Sequence, residues 1–178
     1  MNLFARLLPS AAATAAARFE RLISQRSGRW YQACLRITGD ANWAEDAVQD
    51  ALLKAWHGRE RFRGESELDT WVHRIAINAA LDRMRRERLR SPLALAAESV
   101  EGELAGAELA PALASDLNLA LSQLTDLERV CFVLKHLEQW RLEEIAEQLD
   151  SSLGSVKQAL FRALRKLRDA LQAWRSPT

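Results

Sequence analysis

Three groups of side chains in this chain have types and spacings suited to recognition rather than to bond-making. The first lies near the C-terminus. Leu142 to Leu149 forms a short amphipathic run, Asp150, Ser151 and Ser152 follow, and a longer run begins at Leu153. A short helix, a three-residue turn and a second helix are the parts of a helix-turn-helix. The small Ala146 lets the two helices approach, and Asp150 occupies a turn position that favours a left-handed residue, a conformation Asp tolerates better than most. Ser152 is placed to cap the second helix. Val156, Leu160, Ala163, Leu164, Leu167 and Leu171 recur at helical spacing and predict its buried stripe. Ser155, Lys157, Gln158, Phe161, Arg162 and Arg165 are then expected to face outward. Polar groups there can reach base edges and cations can hold phosphates. The competing account is an amphipathic surface helix with a solvated basic face.

The second group is Asp46, Gln49, Asp50 and Leu53, which follow i, i+3, i+4, i+7 spacing beside a separate apolar stripe. An acidic line with a leucine in it suits docking on a basic partner helix. On periodicity alone a solvated face is the simpler account. The third group is Arg61, Phe62, Arg63 and Ser66, followed by a helical polar line of Thr70, Arg74, Asn78 and Arg85. An aromatic residue between two arginines, next to a basic and amide-bearing helix, supplies the stacking and phosphate neutralisation that a single-stranded nucleic acid requires.

Enzymatic chemistry finds little support. His57, His73 and His136 share no metal-ligand spacing, and no Gly-rich phosphate loop or nucleophile motif occurs. The two cysteines, Cys34 and Cys131, sit far apart inside apolar helical patterns and are expected to be buried free thiols in a reducing cytoplasm. The apolar stretches of Met1 to Ala17 are too broken for a secretory signal, and no run is long enough to span a bilayer.

The elements that must position these groups are helices. The chain has 178 residues, 7 Gly and 4 Pro, and abundant Ala, Leu, Arg and Glu, a composition that predicts an all-α fold. Charge is unevenly spread although the net is only +1. Residues 16–90 carry 15 Lys/Arg against 11 Asp/Glu, residues 91–116 carry none against 5, and residues from 151 onward carry 6 against 1. Two basic regions flank an acidic one. The expected organisation is a loose tail over 1–15, a helical domain over 16–90, an acidic linker over 91–114 and a second helical domain over 115–178. In the first block, helices are expected over Phe19–Ile37, Trp43–His57 (burying Trp43, Ala44, Ala47, Val48, Ala51, Leu52 and Ala55) and from Ser66. Ser66 and Asp69 would form a variant capping box for the third, which buries Leu68, Trp71, Val72, Ile75, Ala76 and Ala79. In the second block, Ser115 is expected to cap a short helix, and Thr125 with Glu128 forms a capping box for the next.

The runs AEDAVQDALLKAW (44–56), RFRGESELDTWVHRIAINAALD (61–82) with its basic extension, and ERVCFVLKHLEQWRLEEIAEQLDSSLGSVKQALFRALRKL (128–167), in this order, resemble the extracytoplasmic-function sigma factors of the sigma-70 family. With residues 29–40 they cover about half of the chain. The resemblance implies a cytoplasmic, non-catalytic specificity subunit of RNA polymerase, with no cofactor, no metal and no small-molecule substrate. Asp46, Gln49, Asp50 and Leu53 match the region that docks on the β′ clamp helices, with Trp56 expected in the core. Arg61, Phe62, Arg63, Ser66, Thr70, Trp71, Arg74 and Asn78 match the region that reads and melts the −10 element, where a base is flipped into a pocket. Arg83, Arg85 and Arg86 would contact its backbone. Ser152, Ser155, Lys157, Gln158, Phe161, Arg162 and Arg165 match the region that binds the −35 duplex, in a domain that rests on the β flap. Promoter DNA, core RNA polymerase and an anti-sigma factor are the implied partners. Ala159 stands where the family commonly has arginine, which implies one DNA contact fewer; Gln158 replaces a frequent Ser, and Gln139–Trp140–Arg141 replaces a Gly-x-Ser turn. A stand-alone DNA-binding regulator using only residues 115–178 is the second reading, and the acidic stripe at Asp46–Leu53 argues against it.

Overall fold

The computed structural model describes residues 11–59, 62, 67–90 and 111–175, which are helical almost throughout and contain no strand. Arg61, Arg63, Ser66 and most of the acidic linker lie outside the described residues.

Helix α1 spans Ala11–Thr38. It starts before the expected Phe19 because Ala11 to Ala17, nearly all alanine, have high helix propensity. Residues 11–15, expected in a loose tail, are therefore helical. Gly39, at φ +71°, ends the helix by donating its N–H to Leu35 O at 2.8 Å. Asp40 then caps α2 (Ala41–Gly58), its carboxylate accepting from Trp43 N–H at 2.8 Å. The face that α2 buries is Ala44, Ala47, Val48, Ala51 and Ala55, small side chains that let the helices pack closely.

Helix α3 (Leu68–Arg90) lies against both α1 and α2. Trp30 of α1 is fully buried and donates Nε1–H to Asp69 at 3.0 Å, while Arg29 and Arg26 reach the other oxygen of Asp69 at 3.2 and 3.5 Å. Asp69, expected to serve a capping box, thus ties α1 to α3. The buried set of α3 is also wider than the expected stripe. It adds His73, Ile77, Ala80, Leu81 and Met84, and leaves Leu68, Trp71 and Ile75 half-buried. The reason is that α3 is covered from more than one side, by α1 and α2 and by residues of the second block.

That block begins with α4 (Pro111–Ser122). Ser115 falls inside this helix rather than at its cap, so the last residues of the expected 91–114 linker are helical. Pro111 is a favourable first residue because it has no N–H to leave unpaired. Helix α5 (Asp126–Phe132) carries the expected box, with Thr125 N–H donating to Glu128 Oε2 at 3.0 Å and Glu128 N–H to Thr125 Oγ1 at 3.4 Å. A π-helical turn, Val133–Leu137, extends it and closes through Glu138 N–H to Val133 O (3.0 Å) and Trp140 N–H to Leu134 O (2.9 Å). Gln139 follows at φ +60°. Helix α6 (Leu142–Gln148) has no Ser cap; instead Glu144 accepts from Arg141 N–H at 2.9 Å, half of a capping box. Asp150 is left-handed as expected (φ +48°), and Ser152 caps α7 (Leu153–Arg175) by accepting from Ser155 N–H at 3.1 Å.

Helix α7 packs on α5, α6 and α4 through Val156, Ala159, Leu160, Ala163 and Leu167. Leu164, expected in this stripe, is 43% exposed, and Ala159 takes its place at 0%. The two blocks share one continuous apolar core. They are joined at the end of α1, where Arg129 donates to Ile37 O at 3.3 Å and to Thr38 O at 3.0 Å while pairing with Asp126 at 2.8 Å.

Candidate nucleic-acid and docking surfaces

Helices α2 and α3 run together and bring the second and third groups of residues onto adjoining faces. Leu53 is 58% exposed on α2, with Gln49 exposed and Asp46 and Asp50 half-exposed beside it. Asp46 pairs with Arg83 of α3 at 3.0 Å, and Asp50 lies 3.9 Å from Arg86. Asp50, Leu53, Lys54, His57, Gly58 and Arg86 line an open depression between the helices. Arg83 and Arg86, matched by resemblance to DNA-backbone contacts, are therefore engaged with the acidic stripe. The arrangement is an apolar knob in a balanced field of charge, suited to a helix carrying its own ionic groups.

At the start of α3, Phe62 lies tilted on Trp71, with ring centroids 5.2 Å apart, and Trp71 rests against Gly58, where an added Cβ would stand 3.4 Å from the indole. Trp56 is half-buried against Phe19, consistent with a core role, and Arg59 lies over its ring at 4.1 Å. Thr70 and Arg74 are exposed along the next turns. Asn78 is half-buried and its Oδ1 has no hydrogen-bond partner. A stacking pair followed by a hydroxyl and a guanidinium provides groups for unstacked bases and their backbone. Arg74 also reaches Glu144 of α6 at 3.1 Å, and Arg85 donates to Gln148 O at 2.9 Å and pairs with Asp82 at 3.0 Å.

The helix-turn-helix presents a separate face. Ser155, Lys157, Gln158 and Arg165 are exposed on α7, and Phe161 is 67% exposed. Ser152 and Ser155 hydroxyls lie 2.9 Å apart, so both are ordered at the N-terminal end of the helix. Arg162 is drawn toward Glu128 at 3.3 Å. Ala159 points into the core, so its substitution for arginine does not subtract a contact from the outer face.

Beyond the capping role of Glu128, several long-range pairings carried no local sign in the sequence. Glu128, 3% exposed, receives Lys166 at 2.7 Å besides Arg162 and its capping bonds. Burial works against its charged form, but Lys166 and the Thr125 N–H outweigh that and hold its carboxyl below the usual range. Glu144 is likewise held low, chiefly by the Arg141 N–H and then by Arg74. His73 and Glu138, 65 residues apart, meet at 2.6 Å between the blocks. Cys34 and Cys131 are buried free thiols. Among the described residues no His/Cys/Asp/Glu cluster could hold a metal, and no helix is long and apolar enough to cross a membrane.

Comparison with known proteins places these surfaces in a family. Sigma-70 region 2 matches residues 22–90, and sigma-70 region 4 matches residues 115–167. The chain is 32% identical over 160 residues to the ECF RNA polymerase sigma factor SigG of Mycobacterium tuberculosis, covering 75% of this chain but only 43% of that relative. It is 32% identical over 165 residues to SigL of the same species, covering 91% and 93%. With SigW of Bacillus subtilis it shares 27% over 166 residues, covering 86% and 89%. Its fold is similar to that of the sigma factor RpoE of Bartonella quintana, solved with the anti-sigma factor NepR (TM-score 0.62, 22% identity, 87% of this chain and 97% of that one). With a region 2 match on the α1–α3 block, a region 4 match on the helix-turn-helix block and relatives of this identity and coverage, the chain belongs to the extracytoplasmic-function sigma factors of the sigma-70 family.

Proposed function

We propose that this chain is a promoter-specificity subunit of RNA polymerase that binds core enzyme, engages −10 and −35 elements and promotes strand opening without catalysis of its own. The observation that carries this reading is the pairing, in one chain, of an exposed acidic–leucine face on α2 with a DNA-facing helix-turn-helix. A regulator that needed only α6 and α7 would have no use for the first. In this reading Asp46, Gln49, Asp50 and Leu53 meet the β′ clamp helices. Leu53 fills an apolar hollow, and the carboxylates exchange Arg83 and Arg86 for cations of the partner. The exchange frees those two arginines for the DNA backbone, so docking and promoter engagement reinforce each other.

Phe62, Thr70, Trp71, Arg74 and Asn78, together with Arg61, Arg63 and Ser66 beyond the described residues, serve the melted −10 strand, with Arg85 on its backbone. The stacking of Phe62 on Trp71 supplies a platform for an unstacked base, which costs less to hold than a paired one. Ser152, Ser155, Lys157, Gln158, Phe161, Arg162 and Arg165 meet the −35 duplex, and the same domain rests on the β flap. An anti-sigma factor as a further partner, and the cytoplasm as the place of action, follow from the family.

The test is run-off transcription with purified core polymerase. Specific initiation that depends on the added protein is expected, and DNA binding without any gain in initiation would overturn the reading in favour of a simple regulator. Asp46→Lys/Asp50→Lys should abolish co-purification with core while far-UV circular dichroism is unchanged. Undiminished co-purification would remove α2 from the docking surface.

A further inference from the structure

Glu128 closes the first turn of α5, yet only one of its oxygens is occupied by that cap. Oε2 accepts from the Thr125 N–H at 3.0 Å and pairs with Lys166 Nζ at 2.7 Å, whereas Oε1 lies 3.3 Å from Arg162 Nε. The Glu128 side chain is 4% exposed and the Arg162 side chain 43%. A buried anion anchored to α5 thus grips the inner end of a guanidinium on α7. Arg162 stands beside Phe161 and one turn on from Gln158, both exposed on the face read as meeting the −35 duplex. Lys157 and Arg165 are exposed on the same helix and make no ion pair among the described residues. The cations of α7 therefore differ in kind: Arg162 is held from below, and Lys157 and Arg165 are not.

We propose that Glu128 is a positioning residue for sequence recognition: it fixes Arg162 so that this arginine discriminates among base pairs of the −35 duplex. The inference rests on the reading of α7 as the −35 helix. A guanidinium is a rigid planar fork of five N–H donors. Gripped at Nε, it keeps the Nη1–Nη2 end for two neighbouring acceptors on DNA. An unheld arginine offers the same charge in many orientations and must give up that freedom on binding. Mobile charge, as on Lys157 and Arg165, attracts phosphates of any sequence, whereas a fixed fork can tell one base edge from another. The same carboxylate offsets the charge of Lys166, which holds down attraction to arbitrary DNA. Because Glu128 is fastened by the α5 cap, the aim of Arg162 is set by a second helix and not by α7 alone.

The test uses holoenzyme assembled from the full chain and core polymerase, with a library of promoter duplexes randomised across the −35 region. Sequencing the bound and unbound pools gives a relative affinity for each base at each position. Arg162→Ala identifies the position that Arg162 reads as the one whose preference disappears. Glu128→Gln removes the charge but leaves Gln at N3, where it can still complete the cap. It is expected to weaken the preference at that same position about tenfold, the scale of one good base contact, and to leave the other positions unchanged. Lys166→Met takes away the other long-range partner while the Thr125 N–H still holds the carboxylate, and it should keep the wild-type preference. A merely structural role for Glu128 lowers binding to all sequences alike. Unchanged preference in Glu128→Gln, or an equal loss in Lys166→Met, would overturn the positioning role. Arg162→Lys decides the matter if Glu128→Gln does not assemble. It leaves the cap intact and keeps the charge but lacks the second edge of the fork, so it should lose the same preference, and a retained one overturns the inference. Arg162→Ala with every preference intact overturns the inference while the rest of the −35 face stands. A wild-type holoenzyme with no −35 preference overturns the reading of α7 itself.

Discussion

Cys34 shows how a single side chain can look functional by type and be inert by placement. It is fully buried, its thiol lies 3.5 Å from Ala76 O, and burial, with a smaller contribution from Glu138, pushes its pKa up to about 12. Burial alone pushes Cys131 up to about 11. Since the thiolate is the reactive form, both thiols should resist a thiol reagent at pH 8 in native buffer and react at the rate of free cysteine in denaturant. Fast native labelling of either would contradict the burial. Glu128 is the opposite case, an ordinary-looking charge that organises its surroundings. Its capping bonds to Thr125 and its ion pairs to Arg162 and Lys166 join the start of α5 to α7. A carboxyl held below its unfolded value stabilises the fold above the ordinary glutamate range, and that contribution is lost as pH falls through the folded value. Chemical denaturation followed from about pH 6 down to about pH 3 should therefore show a steeper loss of stability for wild type than for Glu128→Gln. At pH 7, Glu128→Ala should cost on the order of 2 kcal/mol, because the Thr125 N–H and Lys166 lose their acceptor. Parallel pH curves would show that this carboxyl is not the one that titrates with unfolding.

Helix ends were more legible than helix faces. Thr125, Asp150 and Ser152 act through short-range backbone hydrogen bonds or local backbone conformation, so residue type at a fixed offset marks them. The π-helical turn at Val133–Leu137 left no such mark, because no residue type enforces its wider pitch. Faces depend on what lies opposite. The stripe expected for α7 includes Leu164, which is 43% exposed, and omits Ala159, which is 0% exposed, because an alanine counts for little in a hydrophobic pattern. That difference bears on function, since an alanine in place of a family arginine suggests a missing DNA contact only if the position faces outward. Ala159→Arg should not raise DNA affinity. It should lower stability by about 3 kcal/mol or more, the cost of an uncompensated buried charge, seen as a fall in melting temperature. A stable variant with tighter duplex binding would return residue 159 to the outer face.

At the scale of the whole molecule, the sequence divides into two helical blocks, but nothing in it announces that they share a core. Periodicity describes neighbours within a helix, and the joining contacts here connect residues 63 to 92 positions apart, from Arg85–Gln148 to Arg129–Ile37. Their polar character matters, because polar joints can separate into water more cheaply than apolar ones. Arg129 makes two of them. It satisfies the carbonyls of Ile37 and Thr38 at the end of α1, and its guanidinium occupies the space beside Gly39, where an added Cβ would stand 3.0 Å from Arg129 Cζ. Removing it leaves two carbonyl oxygens without this donor, at a cost of about 1–3 kcal/mol, and takes away the link that makes one block report on the other. Four of the six tryptophans, Trp30, Trp43, Trp56 and Trp71, lie in the first block, so indole fluorescence follows mainly that block while far-UV circular dichroism follows both. In urea the two signals of the wild-type protein should coincide in one transition, as expected of a single cooperative unit. For Arg129→Ala they should separate into two midpoints. Coincident curves in the variant would mean that the shared apolar core alone couples the blocks, and separate curves already in the wild type would mean that they are independent before any partner draws them apart.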